Sequence, residues 1–172
     1  MSLSEANLPT ERSGFMKLLF KQRLFSWLCS YDVYTESGVP AYKVEGQLAW
    51  GHCLKIFDAC GTERGLVKQR LLTWLPKFEI YSDSYYLGCI RRELTFLTPK
   101  YTIEYNGWQV VGNWWEWDYE IRDPQGQLIA TISKEIFHWT DTYVLDIVDP
   151  QNALWVLMLV LAIDAEKCSR DD

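Results

Sequence analysis

The chain has 172 residues, 48% of them hydrophobic and 15% aromatic, with nine Trp; this suits one packed domain and excludes the disordered class. Its net charge of −6 argues against a general affinity for nucleic acid. Cys29, Cys53, Cys60, Cys89 and Cys168 are odd in number, scattered and without a C-x-x-C pair. They read as reduced thiols of a cytoplasmic protein, small buried hydrophobes plus a few surface groups, and not as a metal or redox set.

Met1 to Gly14 is polar, contains Pro9 and has no apolar run of the signal-peptide kind, so residues 1–15 are expected to form a flexible tail. Met16 to Lys21 and Phe25 to Tyr34 are rich in aromatic and aliphatic residues at strand length. Three similar turns follow. Val33-Tyr34-Thr35-Glu36-Ser37-Gly38 leads to Val44, Ile56-Phe57-Asp58-Ala59-Cys60-Gly61 to Val67, and Ile121-Arg122-Asp123-Pro124-Gln125-Gly126 to Ile132. A short polar side chain at the first turn position and Gly at the fourth fit a type I hairpin turn, with Gly61 and Gly126 in the left-handed position.

Two of these hairpins belong to a longer repeat. Set against each other without a gap, Ile56 meets Ile121, Asp58 meets Asp123, Val67 meets Ile132, Leu71 meets Ile136, Trp74 meets Trp139 and Ile80 meets Leu145. The pattern predicts two similar sheet halves closing round one axis, with Trp74 and Trp139 as equivalent core residues. Between them, Ser82-Asp83 and Asn106-Gly107 mark further short hairpins, and Trp117 to Arg122 alternates apolar with charged residues as a half-buried strand does.

From Ala153 to Ile163 every residue is apolar, so no face of a helix there can meet water. The run is shorter than the ~20 residues a bilayer needs and closes with Asp164, Glu166 and Lys167; the chain is expected not to be transmembrane. Asp149 stands as the capping residue and Pro150 at the first helical position. Protein must wrap this helix, with Trp155, Leu157 and Leu159 in the core. A barrel of about eight strands is filled by its own side chains, whereas about twelve leave room for a helix roughly 10 Å across. The predicted fold is therefore all-β, a closed antiparallel barrel of about twelve strands around a buried hydrophobic C-terminal α-helix, spanning 16–168 with a tail at 169–172.

Phe20 to Ser26, Pro99 to Ile103, Gly107-Trp108, Asp118 to Ile121, Ala130 to Lys134, Asp141 to Tyr143 and Leu161 to Asp164 together resemble the LURP-one-related family, especially its bacterial branch, from about Met16 to Cys168. The resemblance implies the tubby-like fold, a twelve-stranded barrel around a central hydrophobic helix, shared with the tubby C-terminal domain and phospholipid scramblases. It implies less about function, because this branch is largely uncharacterised: tubby domains bind phosphoinositide head groups, scramblase relatives act at membranes, and plant members are linked to defence. The chain departs from that pattern in its polar Met1 to Gly14 extension and in lacking the tubby lipid-binding basic motif.

No arrangement of residues points to catalysis, to a metal or to a cofactor. His52 and His138 are the two histidines, and neither sits in an H-x-x-x-H or H-E-x-x-H pattern. Ser133 and Cys53 lack the surroundings of an activated nucleophile. Asp141 with Asp146, or Glu116 with Asp118, would suit a glycosidase only across a sugar cleft; alternation with apolar residues makes them a solvated strand face. Trp115 and Trp117 share the inward parity of Tyr119 and Ile121, which leaves Trp114 as the exposed aromatic candidate.

Basic residues gather as Lys17, Lys21 and Arg23; Lys68 and Arg70; and Arg91 and Arg92. Such groups suit phosphorylated head groups, and in the bland reading they guard and solvate strand faces. The expectation is a non-enzymatic, cytoplasmic binding module, peripheral at the membrane, that recognises anionic phospholipid or a phosphorylated ligand. The alternative is a scaffold for an unidentified protein partner, and a distant third is a carbohydrate-directed protein using exposed Trp.

Overall fold

The computed structural model describes residues 14–22, 30–75, 77–93, 100–104, 106–113, 116–137 and 140–171. Twelve strands appear among them: β1 (Met16–Gln22), β2 (Tyr31–Thr35), β3 (Pro40–Gly46), β4 (Cys53–Asp58), β5 (Glu63–Gln69), β6 (Lys77–Ser82), β7 (Tyr85–Glu93), β8 (Lys100–Ile103), β9 (Gln109–Asn113), β10 (Asp118–Arg122), β11 (Leu128–Phe137) and β12 (Thr140–Ile147). Each pairs antiparallel with its neighbour in sequence, and β1 pairs with β12 to close the barrel. Among the described residues every strand thus has a neighbour on each side, with β8 and β9 joined by the single pair Thr102 and Gln109.

Alternation along the strands sets what faces inward. Tyr119 and Ile121 are buried while Asp118 is exposed, and Leu18, Phe20, Val33, Val44, Ile56 and Ile80 are fully buried on their own strands. They pack around α1 (Ala153–Asp171), which is buried without interruption from Val156 to Lys167. The wall is one residue thick and the helix fills it. Residues 169–171 continue α1 and do not form a tail.

The entry to the helix follows its local chemistry. Asp149 is extended (φ −120°), its Oδ1 accepts from Gln151 N at 3.0 Å, and Pro150 opens the first turn. That turn, Pro150–Asn152, is 3-10, and the α-helix proper begins at Ala153. Trp155, expected in the core, is only partly buried, because it lies in the first α-turn at the mouth of the barrel. Leu157 and Leu159, deeper in, are fully buried.

The internal repeat is real in the hydrogen-bond register. Ile56 pairs with Gly65 and Ile121 with Ala130; Val67 pairs with Ile80 and Ile132 with Leu145. Both hairpins carry a bulge at the same step, between Ile56 and Phe57 and between Ile121 and Arg122. In both, the Asp side chain caps the turn and Gly takes φ +81°. A non-glycine residue in that left-handed region is strained.

The equivalence stops at Trp74. Far from being a core residue, Trp74 is fully exposed, and Trp139 lies outside the described residues. β5 ends at Gln69 and β6 begins at Lys77, whereas β11 runs on to Phe137 and pairs Ile136 with Asp141. The first copy thus gives way to a loop at residues 70–75 where the second continues as a ribbon. Two other turns differ from the sequence reading in position. Asp83 and Ser84, both at positive φ, form the turn between Ser82 and Tyr85. Ile103 N donates to Trp108 O, so Asn106-Gly107 closes a wider loop than a two-residue hairpin.

Candidate functional site

Antiparallel strands in sequence order place alternate loops at opposite ends of the barrel. The loops of residues 47–52 (β3 to β4) and 70–75 (β5 to β6) emerge at one end, and α1 runs toward it. Its entry half packs by Gly65, near the start of β5, while Asp164 meets Tyr31 at the start of β2. This end carries both the surface features and the buried polar groups that ask for explanation.

Strand parity sorts the basic residues. Val67, Phe78 and Ile90 point inward, so Lys68, Arg70, Lys77 and Arg91 lie on the outer faces of three adjacent strands or their ends. Lys68 pairs in register with Glu79, and Lys77 with Arg91. Arg70 Nε stands 3.7 Å from Glu79 Oε1, and Arg91 bonds Glu104. Two of the sequence groups thus converge, joined by Lys77, which the sequence reading passed over. Its signal was available: once Phe78 is inward, Lys77 is outward beside Arg70.

Arg92 does not belong to this face. It is one residue from Arg91 and so points inward, where Nη1 reaches Glu166 Oε1 at 3.1 Å. Lys17 lies on β1, on the far side of the barrel, near Glu36 at 3.7 Å and Asp146 at 3.6 Å. Lys21 is on β1 as well, its side chain outside the described set, and Arg23 and Trp114 lie outside the described residues altogether.

Around the end of α1, three charged residues that sequence alone marks as the close of the helix are buried instead. Tyr31 donates its hydroxyl to Asp164, Tyr101 donates to Glu166, and Lys167 Nζ sits 4.2 Å from the centre of the Trp117 ring. Trp117 in turn stacks on Tyr143 with ring centres 3.9 Å apart. Burial pushes the Glu166 carboxyl above its ordinary range, against the opposing pull of Tyr101 and Arg92. Burial also raises the Tyr101 phenol, with the Glu166 bond adding to it. Tyr119 rises by burial and then by the nearby Asp164. Phenols so held remain protonated donors; the cluster fastens the helix to the wall and contains no activated nucleophile. Among the described residues, Tyr119 OH and Thr142 Oγ1 are buried without a hydrogen-bond partner.

The catalytic candidates stay apart. The His52 backbone is tied to Gln69, its O accepting from Gln69 N and its N donating to Gln69 Oε1, and His138 lies outside the described residues. Burial raises the Cys53 thiol, with Lys68 and Lys55 opposing, which is the opposite of activation. Asp146 lies near Lys17, and Glu116 and Asp118 are exposed. Among the described residues no three of His, Cys, Asp and Glu come together as a metal site would require. An open groove of about 440 Å³ runs over β2 to β4, lined by Tyr34, Tyr42, Phe57, Asp32, Glu45 and Asp58 among others. It contains no Trp. Among the described residues no helix is long and apolar enough to cross a membrane.

Comparison with known proteins agrees with this architecture. The chain is 25% identical over 150 residues to the uncharacterized protein YxjI of Bacillus subtilis (strain 168), covering 87% of this chain and 92% of that one. An X-ray structure of a protein from Arabidopsis thaliana superposes with a TM-score of 0.61 at 10% identity, over 88% of this chain and 93% of the other; that likeness is one of fold. The LURP-one-related family model matches residues 16–164, which takes in all twelve strands and α1 as far as the buried Asp164. The chain belongs to the LURP-one-related family.

Proposed function

We propose that this protein is a non-enzymatic binding module, working in the cytoplasm, whose outer face on β5, β6 and β7 recognises an anionic, phosphate-bearing group such as a phospholipid head group. The observation that carries this reading is the convergence of Lys68, Arg70, Lys77 and Arg91 around two carboxylates, Glu79 and Glu104, on a chain whose total charge is −6. A cationic face on an acidic protein orients it toward an anionic surface while the remainder is repelled. Arg contributes a planar fork for two phosphate oxygens and Lys a mobile point charge.

The test is sedimentation with vesicles of phosphatidylcholine alone and of phosphatidylcholine with phosphatidylserine, across a range of salt. Retention on the anionic vesicles is expected to fall as salt rises, since exposed charges are screened over about 10 Å at 0.1 M. Lys68→Gln with Arg70→Gln, and Lys77→Gln with Arg91→Gln, should each weaken it without lowering the melting temperature. Equal sedimentation of the parent protein with both vesicles at low salt, or retention on the anionic vesicles unchanged in both double variants, would reject the cationic face.

A further inference from the structure

The loops of residues 47–52 and 70–75 show Leu48 at 92% exposure, Trp50 at 90%, and Leu72 and Trp74 fully exposed, with Leu71 just before them half-exposed. They are neighbours: Gln69 N donates to His52 O at 2.7 Å, His52 N donates to Gln69 Oε1 at 3.0 Å, and Gly51 lies against the Leu71 side chain. Leu72 adopts φ +60°, a conformation costly for a branched residue and unrewarded here by packing. Five large apolar side chains on two adjoining loops form a surface feature of the kind that marks an interaction site.

We infer that these two loops are an interfacial anchor, entering the head-group region of an anionic bilayer while Lys68, Arg70, Lys77 and Arg91 at their roots meet the phosphates. The inference rests on the anion-binding reading for the roots and adds a bilayer, specifically, as the partner of the tips. Three observations favour a bilayer over a protein groove. The apolar residues stand on projecting loops, and the grooves over β2 to β4 and beside Tyr81 do not reach them; a lipid interface accepts such tips without a matching shape. Two of the residues are Trp, whose amphipathic ring settles at the head-group level. The cations flank one of the loops directly in the fold, Lys68 just ahead of it, Arg70 at its first position and Lys77 behind it. Apolar tips with basic roots are the composition of an interfacial anchor.

The experiment uses the full chain, vesicles of phosphatidylcholine alone or equimolar with phosphatidylserine, and the same vesicles with brominated acyl chains. Soluble glycerophosphoserine, followed by amide chemical shifts on β5 to β7, reports the roots separately. Bound protein is expected to show tryptophan emission quenched by bromine. Trp50→Ser with Trp74→Ser and Leu72→Ser should lose vesicle affinity by at least about tenfold while keeping the melting temperature and the glycerophosphoserine shifts. Vesicle affinity within about twofold of the parent protein in that variant, or bound protein without quenching, would overturn the anchor. Shifts with glycerophosphoserine but no retention on either vesicle would also overturn it, while leaving the cationic face standing. Retention on neutral and anionic vesicles alike, abolished by the loop substitutions, would keep the anchor and reject the cationic face.

Discussion

Arg92 and Glu166 meet inside the barrel, Nη1 to Oε1 at 3.1 Å, and so tie the wall strand β7 to the last turns of α1. The Glu166 side chain is 1% exposed and that of Arg92 is 20% exposed. Removing one member of a buried pair costs more than the pair is worth, since it strands the other charge. Arg92→Gln is expected to lower stability by about 3 kcal/mol, whereas Arg91→Gln, next to it but outside, should stay within about 0.5 kcal/mol. Urea denaturation of the two variants checks this. Adding Glu166→Gln to Arg92→Gln should recover part of the loss, the non-additivity expected of residues in contact.

Acidity should act on the same pair. Burial holds the Glu166 carboxyl above its ordinary value of 4.5, so the folded protein keeps that proton to a higher pH than the unfolded chain does. The group's contribution is then fully present below about pH 4.5 and declines as pH rises toward the folded value. Compared with Glu166→Gln, the parent protein is expected to lose stability as pH increases through that window, by no more than about 1.4 kcal/mol per unit. Denaturation midpoints of both proteins from about pH 4 to 7 measure the difference; a gap that widens in the opposite direction would mean that Arg92 and Tyr101 outweigh burial.

The helix tolerates no charge at mid-height. Leu157 and Leu159 are fully buried and surrounded by apolar wall residues. A carboxylate placed there has no partner and costs several kcal/mol, comparable with the ~5–15 kcal/mol that holds a domain folded. Leu157→Asp and Leu159→Asp should both yield insoluble or unfolded protein, seen as loss of a cooperative melting transition.

The repeated turns offer a matched pair of small effects. Asp58 Oδ1 accepts from Cys60 N and Thr62 N, both at 2.9 Å; Asp123 Oδ1 accepts from Gln125 N at 2.9 Å and Gln127 N at 2.8 Å. Asp58→Ala and Asp123→Ala should each cost about 1 kcal/mol, and the double variant should equal their sum within about 0.5 kcal/mol, since several strands separate the two hairpins. Urea unfolding of the three variants gives the comparison.

What sequence reveals here is governed by distance along the chain. The three capped turns, the alternation around Tyr119 and Ile121 and the apolar run from Ala153 to Ile163 are local patterns, and all appear in the fold as expected. The constant offset also carries into the register, where Val67 with Ile80 and Ile132 with Leu145 are equivalent pairs. Trp74 escaped because β5 ends at Gln69 where β11 runs on to Phe137, and a matching aromatic does not tell how far a ribbon extends. Arg92 escaped because it was grouped with Arg91 by adjacency, although strand parity separates them. Asp164, Glu166 and Lys167 resembled the polar end of a helix; their partners Tyr31, Tyr101 and Trp117 are far away in sequence and become visible only when the barrel closes. The basic face was half legible: two groups were seen, but their union through Lys77 depends on which strands are neighbours.

The seam between β1 and β12 joins Met16 to Ile147 and Lys21 to Thr142, so the barrel's circumference is completed by the earliest and latest strands of the chain. Its filling, α1, is later still. During synthesis the emerging strands can form hairpins in turn, but their apolar faces have nothing to enclose until Ala153 to Lys167 has left the ribosome. Such long-range closure makes folding slow and exposes sticky intermediates, which places native assembly of this protein after translation of the helix rather than alongside it.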